Sequence, residues 1–142
     1  MSASENPNYM RPGLGHVGSY QASSIPFLSS SITVPTFGSD PLKIEFRRVS
    51  KFVIITNTLS SKVTNVPLRF GFSVEGINGT VENNYGILNN GESFEADYRV
   101  VDLYLLSDSP TQPTEASVIA GLTPIESNRL PNNWNGEWGV GG

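Results

Sequence analysis

Phe94-Glu95-Ala96-Asp97-Tyr98-Arg99-Val100-Val101-Asp102-Leu103-Tyr104-Leu105 is the stretch that decides the fold. Phe94, Ala96, Tyr98 and Val100 alternate with polar neighbours, the period-2 pattern of a strand with one buried face. At Val101 the phase slips by one residue, and Val101, Leu103 and Leu105 carry the apolar side. Such a slip sends side chains to the opposite sheet face, so the stretch predicts two strands joined by a bulge or corner near Arg99–Asp102. A similar stretch stands upstream, with one gap: Phe46-Arg47-Arg48-Val49-Ser50-Lys51-Phe52-Val53-Ile54-Ile55-Thr56 against Tyr98 to Ser107. Both read as strand, polar corner, apolar strand. Two such corners suit the repeated hairpins of a double Greek key, and shared β-propensity accounts for the likeness equally well.

Working outward, the same alternation recurs. Leu42, Ile44 and Phe46 alternate with Lys43, Glu45 and Arg47, and Leu68, Phe70, Phe72 and Val74 with Arg69, Gly71, Ser73 and Glu75. Phe52 to Thr56 is a continuous apolar, β-branched run, which predicts a strand buried on both faces. Val118, Ala120 and Leu122 give a last strand, and Ser31 to Pro35 and Tyr85 to Leu88 complete eight segments. Asn78-Gly79 and Asn90-Gly91 adopt positive φ at little cost and predict tight turns. Pro41, Pro67, Pro110 and Pro113 stand at segment edges, where a missing N–H does least harm. No window of ten or more residues shows a convincing helical apolar period. The expected fold is therefore all-β: an antiparallel eight-stranded single jelly-roll sandwich with extended N- and C-terminal arms. Its expected limits are residues 1–30 for the first arm, 31–125 for the sandwich and 126–142 for the tail.

Composition narrows the chemistry. The chain has 142 residues, no cysteine, one histidine, 9 basic and 13 acidic residues, and a formal net charge of −4. That length fits one domain. Without cysteine there are no disulfides, thiolate metal sites or thiol nucleophiles. A single histidine rules out a multi-histidine metal centre. The negative balance gives no electrostatic reason to bind nucleic acid or an anionic membrane. Met1 to Asn8 lacks the basic and apolar regions of a secretory leader, and the longest apolar run, Phe52 to Ile55, is far short of a membrane span. The expectation is a protein of a reducing, soluble compartment.

Candidate sites are few. His16 lies in Gly13-Leu14-Gly15-His16-Val17-Gly18, which matches GxGxxG in form, but Pro12 precedes it and no helix pattern follows, as a phosphate site would require. No acid stands near His16 to orient it as a base. Glu92, Glu95 and Asp97 lie close together, with Glu82 near, and paired carboxylates are what glycoside hydrolysis needs. Their positions alternate with the apolar set, which predicts solvated surface acids. Lys43, Arg47, Arg48 and Lys51 cluster within nine positions, a solvated strand face or a contact with an acidic surface on a neighbouring subunit. Asn78-Gly79-Thr80 has the form of a glycosylation sequon, and the turn explains the Asn-Gly on its own. The arms hold the more telling residues. Tyr9, Tyr20, Ile25, Phe27, Leu28 and Phe37 precede most of the charged residues, and Trp134 and Trp138 stand among Asn and Gly near the end. Aromatics on segments that build no core of their own bury against a surface, either the chain's own sandwich or a neighbour.

Gly15-His16-Val17-Gly18-Ser19-Tyr20-Gln21-Ala22-Ser23-Ser24-Ile25-Pro26-Phe27 resembles the opening segment of the small single jelly-roll structural proteins of large DNA viruses, those of chlorovirus-type viruses of algae among them. Val118-Ile119-Ala120-Gly121-Leu122-Thr123 is similar to their closing strand, and the likeness spans roughly residues 13–125. The resemblance implies a virion component of the icosahedral capsid shell, assembled in the host cell cytoplasm. A single jelly roll of this size suits the pentameric vertex (penton) protein, with a minor capsid or cement protein as the neighbouring possibility. It implies no enzyme and no cofactor or metal. The expected partners are copies of the chain and neighbouring capsid proteins, without direct nucleic-acid contact. Tyr20, Phe27, Arg47, Arg48, Trp134 and Trp138 are the expected subunit contacts. A carbohydrate-binding β-sandwich module that stacks sugars on Trp134 and Trp138 is the alternative from another class.

Overall fold

The alternating segments are strands in the computed structural model, which describes residues 24–79 and 83–129. In chain order they are β1 (Ile25–Val34), β2 (Leu42–Glu45), β3 (Arg48–Asn57), β4 (Leu68–Gly71), a short helix α1 (Val74–Asn78), β5 (Tyr85–Leu88), β6 (Ser93–Ala96), β7 (Asp102–Ser107) and β8 (Thr114–Glu126), followed by a 3-10 turn over Ser127–Arg129. They form two four-stranded antiparallel sheets, in the orders β1-β8-β3-β6 and β2-β7-β4-β5. The protein is an all-β sandwich.

The inward positions of each strand meet in the middle. Val53 and Ile55 of β3, Val118 and Ala120 of β8, Leu68 and Phe70 of β4, and Leu103 and Leu105 of β7 belong to one buried cluster. Each large apolar side chain so buried contributes roughly 1.5–3 kcal/mol before chain entropy is subtracted. Phe70 and Phe94 stack at 4.8 Å between centroids and link the two sheets.

Both sequence corners are passages between the sheets. The chain leaves β2 in the second sheet and enters β3 in the first at Phe46–Arg47. It leaves β6 in the first sheet and enters β7 in the second through residues 97–101. The two passages lie against each other. Phe46 N–H donates to Val101 O at 2.8 Å, and Ser50 N–H donates to Val100 O at 2.9 Å. Ser50 Oγ donates to Tyr98 O and accepts from Val100 N–H at 3.0 Å. The two similar stretches are thus hydrogen-bonded partners.

Several expectations need correction. Strand β1 begins at Ile25, six residues inside the stretch assigned to the first arm, and β8 runs to Glu126. Pro26 and the run of serines disguised β1 in the sequence. The strand tolerates the proline because it is an edge, paired among the described residues with β8 alone. Ser31, at φ 57°, sits in the bulge between Ser29 and Ile32 that interrupts this edge. The segment expected to alternate through Val74 stops at Gly71, and Val74 opens α1. Asn78-Gly79, expected as a tight turn, closes that helix: Gly79, at φ 70°, donates to Glu75 O and Gly76 O. The positive φ was legible, but not the element that uses it. Within the run Phe52–Thr56, expected to be buried on both faces, only Val53 and Ile55 are fully buried, while Phe52, Ile54 and Thr56 on the other face are half-buried.

Candidate subunit-contact surfaces

Of the six residues expected to touch neighbours, Tyr20, Trp134 and Trp138 lie outside the described residues, as do His16, the glycine motif at 13–18 and Glu82. The structure does not bring the remaining three together as one exposed patch. Phe27 is half-buried, with its ring edge-on to Phe46 at 4.9 Å, so it serves the sandwich's own core. Arg47 and Arg48 are exposed at the corner between β2 and β3. Arg48 donates through Nη1 to Pro124 O at 2.9 Å and stands opposite Glu126 in the strand register. Lys43 contacts Glu45 at 3.1 Å and Asp102 at 3.9 Å. The basic cluster is thus partly matched within its own chain, and Arg47 is left as its outward member.

Around Lys43 the electrostatics are local. The hydrogen bond that Lys43 donates to the Glu45 carboxylate holds its ammonium above the ordinary pKa. Burial pushes the Asp102 carboxyl up, against the pull of Lys43, and burial likewise raises the Tyr104 hydroxyl. A carboxyl raised in the folded state favours folding below the ordinary carboxylate range. That contribution is lost as pH rises through the raised value.

The acidic group stays open. Glu95 is exposed opposite Ile54, Asp97 is exposed beyond the end of β6, and Glu92 Oε1 accepts from Asn89 N–H at 2.7 Å within a turn. Nothing in this arrangement encloses a substrate. Among the described residues no group of His, Cys, Asp and Glu is placed to hold a metal ion, and no helix is long and apolar enough to cross a membrane.

Two features were missed in the sequence. Arg69 of β4 is buried on the outer side of the second sheet. Its guanidinium lies between the rings of Phe37 (4.5 Å) and Tyr85 (4.3 Å), bonds Asp108 Oδ1 at 2.7 Å and donates to Ile77 O at 3.1 Å. One side chain thereby fastens four separate segments. Alternation placed Arg69 on a solvent face, and no local signal identified its covers. The second feature is an amide network at the end of the sandwich that carries the loops 58–67 and 89–92. Asn57, fully buried, donates to Val66 O and Leu88 O and accepts from Leu59 N–H and Thr114 Oγ1. Asn90 donates to Ser60 O and Thr64 O and accepts from Val66 N–H, and Asn65 bonds Asn89 and Asn90. Four asparagines thus hold loops that carry little apolar anchorage. The high asparagine content of these turns was the one available signal.

Among the described residues no buried side-chain polar atom lacks a partner. The chain matches no protein-family model, no curated protein and no solved structure.

Proposed function

We propose that this protein is a capsid structural protein built on a single jelly roll, and that it is the pentameric vertex protein closing the five-fold positions of an icosahedral shell. The observation that carries the reading is the strand pairing. The antiparallel partners are β1 with β8, β2 with β7, β3 with β6 and β4 with β5. This is the pairing of one long hairpin, closed at β4–β5 and open at β1·β8. The contacts β3·β8 and β4·β7 are those made when such a hairpin is rolled up. The resemblance of residues 13–27 and 118–123 to small viral jelly-roll proteins points the same way. In this role the protein acts by shape and carries out no reaction. The sandwich is a stiff wedge, and five wedges close around an axis through head-to-tail contacts at a fixed rotation. Arg47 at the exposed corner, with Trp134 and Trp138 beyond the sandwich, supplies contacts to neighbouring subunits in the virion.

The test is native mass spectrometry and negative-stain microscopy of the purified full chain. Closed rings of five are the expected result. A chain that stays monomeric at high concentration, and is absent from purified particles, overturns the reading. Particles that contain the chain away from their vertices would instead assign it the minor capsid or cement role.

A further inference from the structure

An asparagine followed by glycine is a chemically fragile link, because glycine has no side chain to shield its nitrogen. Among the described residues this pair occurs twice, as Asn78-Gly79 and Asn90-Gly91, and a third, Asn135-Gly136, lies outside them. The fold itself demands the two glycines. Gly79 at φ 70° and Gly91 at φ 83° lie in the left-handed region, where a Cβ is strained. A Cβ on Gly79 would also stand 2.7 Å from Asn83 Oδ1. Turn geometry thus sets Asn78 and Asn90 each beside an unhindered backbone nitrogen.

The reaction at such a link needs only water. The glycine N–H gives its proton to hydroxide, and the nitrogen bonds to Cγ of the asparagine. The Cγ–Nδ2 bond breaks, and the amide nitrogen leaves as ammonia. The five-membered imide so formed takes up one water. Opening at Cγ leaves aspartate. Opening at the main-chain carbonyl leaves isoaspartate, whose backbone path is one carbon longer. Hydrogen bonds that fix the side-chain amide or hold the glycine N–H oppose the first step.

The two links differ in both respects. The Asn90 side chain is held at both ends: Nδ2 donates to Ser60 O at 3.0 Å and to Thr64 O at 3.1 Å, and Oδ1 accepts from Val66 N–H at 3.0 Å. Gly91 N–H donates to Asn57 O at 2.8 Å, and Asn57 is fully buried. Attack there requires loops 58–67 and 89–92 to come apart first. Asn78 is half-buried at the last position of α1, and its side chain joins no hydrogen bond among the described residues. Gly79 N–H is shared between Glu75 O at 3.1 Å and Gly76 O at 3.3 Å, both longer than the bond at Gly91. The end of so short a helix frays readily.

We infer that Asn78 is a site of spontaneous conversion to aspartate and isoaspartate in the folded protein, and that the asparagine network guards Asn90. The conversion reaches Arg69. An isoaspartate at position 78 lengthens the backbone beside Ile77, whose carbonyl accepts from Arg69 Nη1, and draws Gly79 N–H away from its two acceptors.

The test incubates the full chain in mildly alkaline oxygen-18 water, folded and, in parallel, unfolded in guanidinium. Peptide mass spectrometry follows each asparagine, and electron-transfer fragmentation separates isoaspartate from aspartate. In the unfolded chain both asparagines are expected to convert at similar rates. In the folded chain Asn78 is expected to convert to a mixture of the two products, each carrying one oxygen-18, while Asn90 converts about tenfold or more slowly. An Asn78 that keeps its amide in the folded chain and loses it in the unfolded one overturns the inference. Equal rates at the two positions in the folded chain overturn it as well, and so does retention of both amides in guanidinium.

Discussion

Arg69 shows how much of the sandwich depends on one cation. Its Nε–H donates to Asp108, its plane is covered by Phe37 and Tyr85, and Nη1 donates to the carbonyl of Ile77. Arginine suits this place because its charge is delocalised over a flat surface that aromatic rings can cover. Arg69→Met leaves the Asp108 carboxylate and the Ile77 carbonyl without their partner. The expected loss is about 3 kcal/mol, the low end for a broken buried pair, because the Asp108 side chain keeps 35% of its surface in water. Arg69→Lys keeps the charge but loses the plane and the separate donors that reach Asp108 and Ile77, and is expected to cost about 1–2 kcal/mol. Urea unfolding with an unchanged slope checks both values, and equal stability of the lysine variant and the native chain would show that the stacking contributes nothing. Sequence reasoning had no access to this residue. Arg69 occupies a polar slot between Leu68 and Phe70, and its covers arrive from positions 37 and 85, far away in the chain. Phe27 shows the converse: an aromatic read as an outward anchor is turned inward by the pleat and meets Phe46.

At the scale of elements, the local patterns were most informative where a strand changes sheet. The slip between Val100 and Val101 was visible because a corner must reverse which side chains face the core. That this corner bonds to the one at Phe46–Ser50 was hidden, since the two lie some fifty positions apart, and only pairing in three dimensions joins them. Strand β1 was harder, because an edge strand tolerates a proline, a bulge and exposed serines, and so carries little of the alternation that marks an interior strand. The bulge at Ser31 and the four-residue lengths of β2, β5 and β6 leave short or interrupted edges, which limits unwanted pairing between copies. The corner pair can be tested through Ser50, which is fully buried. Ser50→Ala leaves Tyr98 O and Val100 N–H without their side-chain partner, and is expected to cost about 1–3 kcal/mol. Ser93→Ala, which removes the exposed hydroxyl bonded to Thr56, is expected to change stability by less than about 0.5 kcal/mol. Thermal and urea unfolding of the two variants side by side give the comparison. Equal effects would mean that the corner bond does not hold the two sheets together.

For the whole molecule, the consequence of the pairing is kinetic as well as mechanical. Among the described residues the first strand pairs with the last alone, with Ile25 opposite Leu122, and β8 also supplies one of the two neighbours of β3. The first sheet therefore stays incomplete until nearly the whole sandwich is present, and its pairing closes large loops before it returns any burial. Such topologies fold in roughly milliseconds to seconds, against microseconds for chains rich in local contacts. Stopped-flow refolding of the full chain is expected to fall in that slow range. Ala120→Gly, in the β8 segment that pairs with both β1 and β3, is expected to act mainly on the unfolding rate if β8 docks after the transition state. A variant that slows refolding in proportion to its lost stability would place the closing strand in the nucleus instead. The distinction matters for assembly. A sandwich completed late presents its outer face and open edges while it folds, so the rate at which β8 docks sets how long they stay open to other copies.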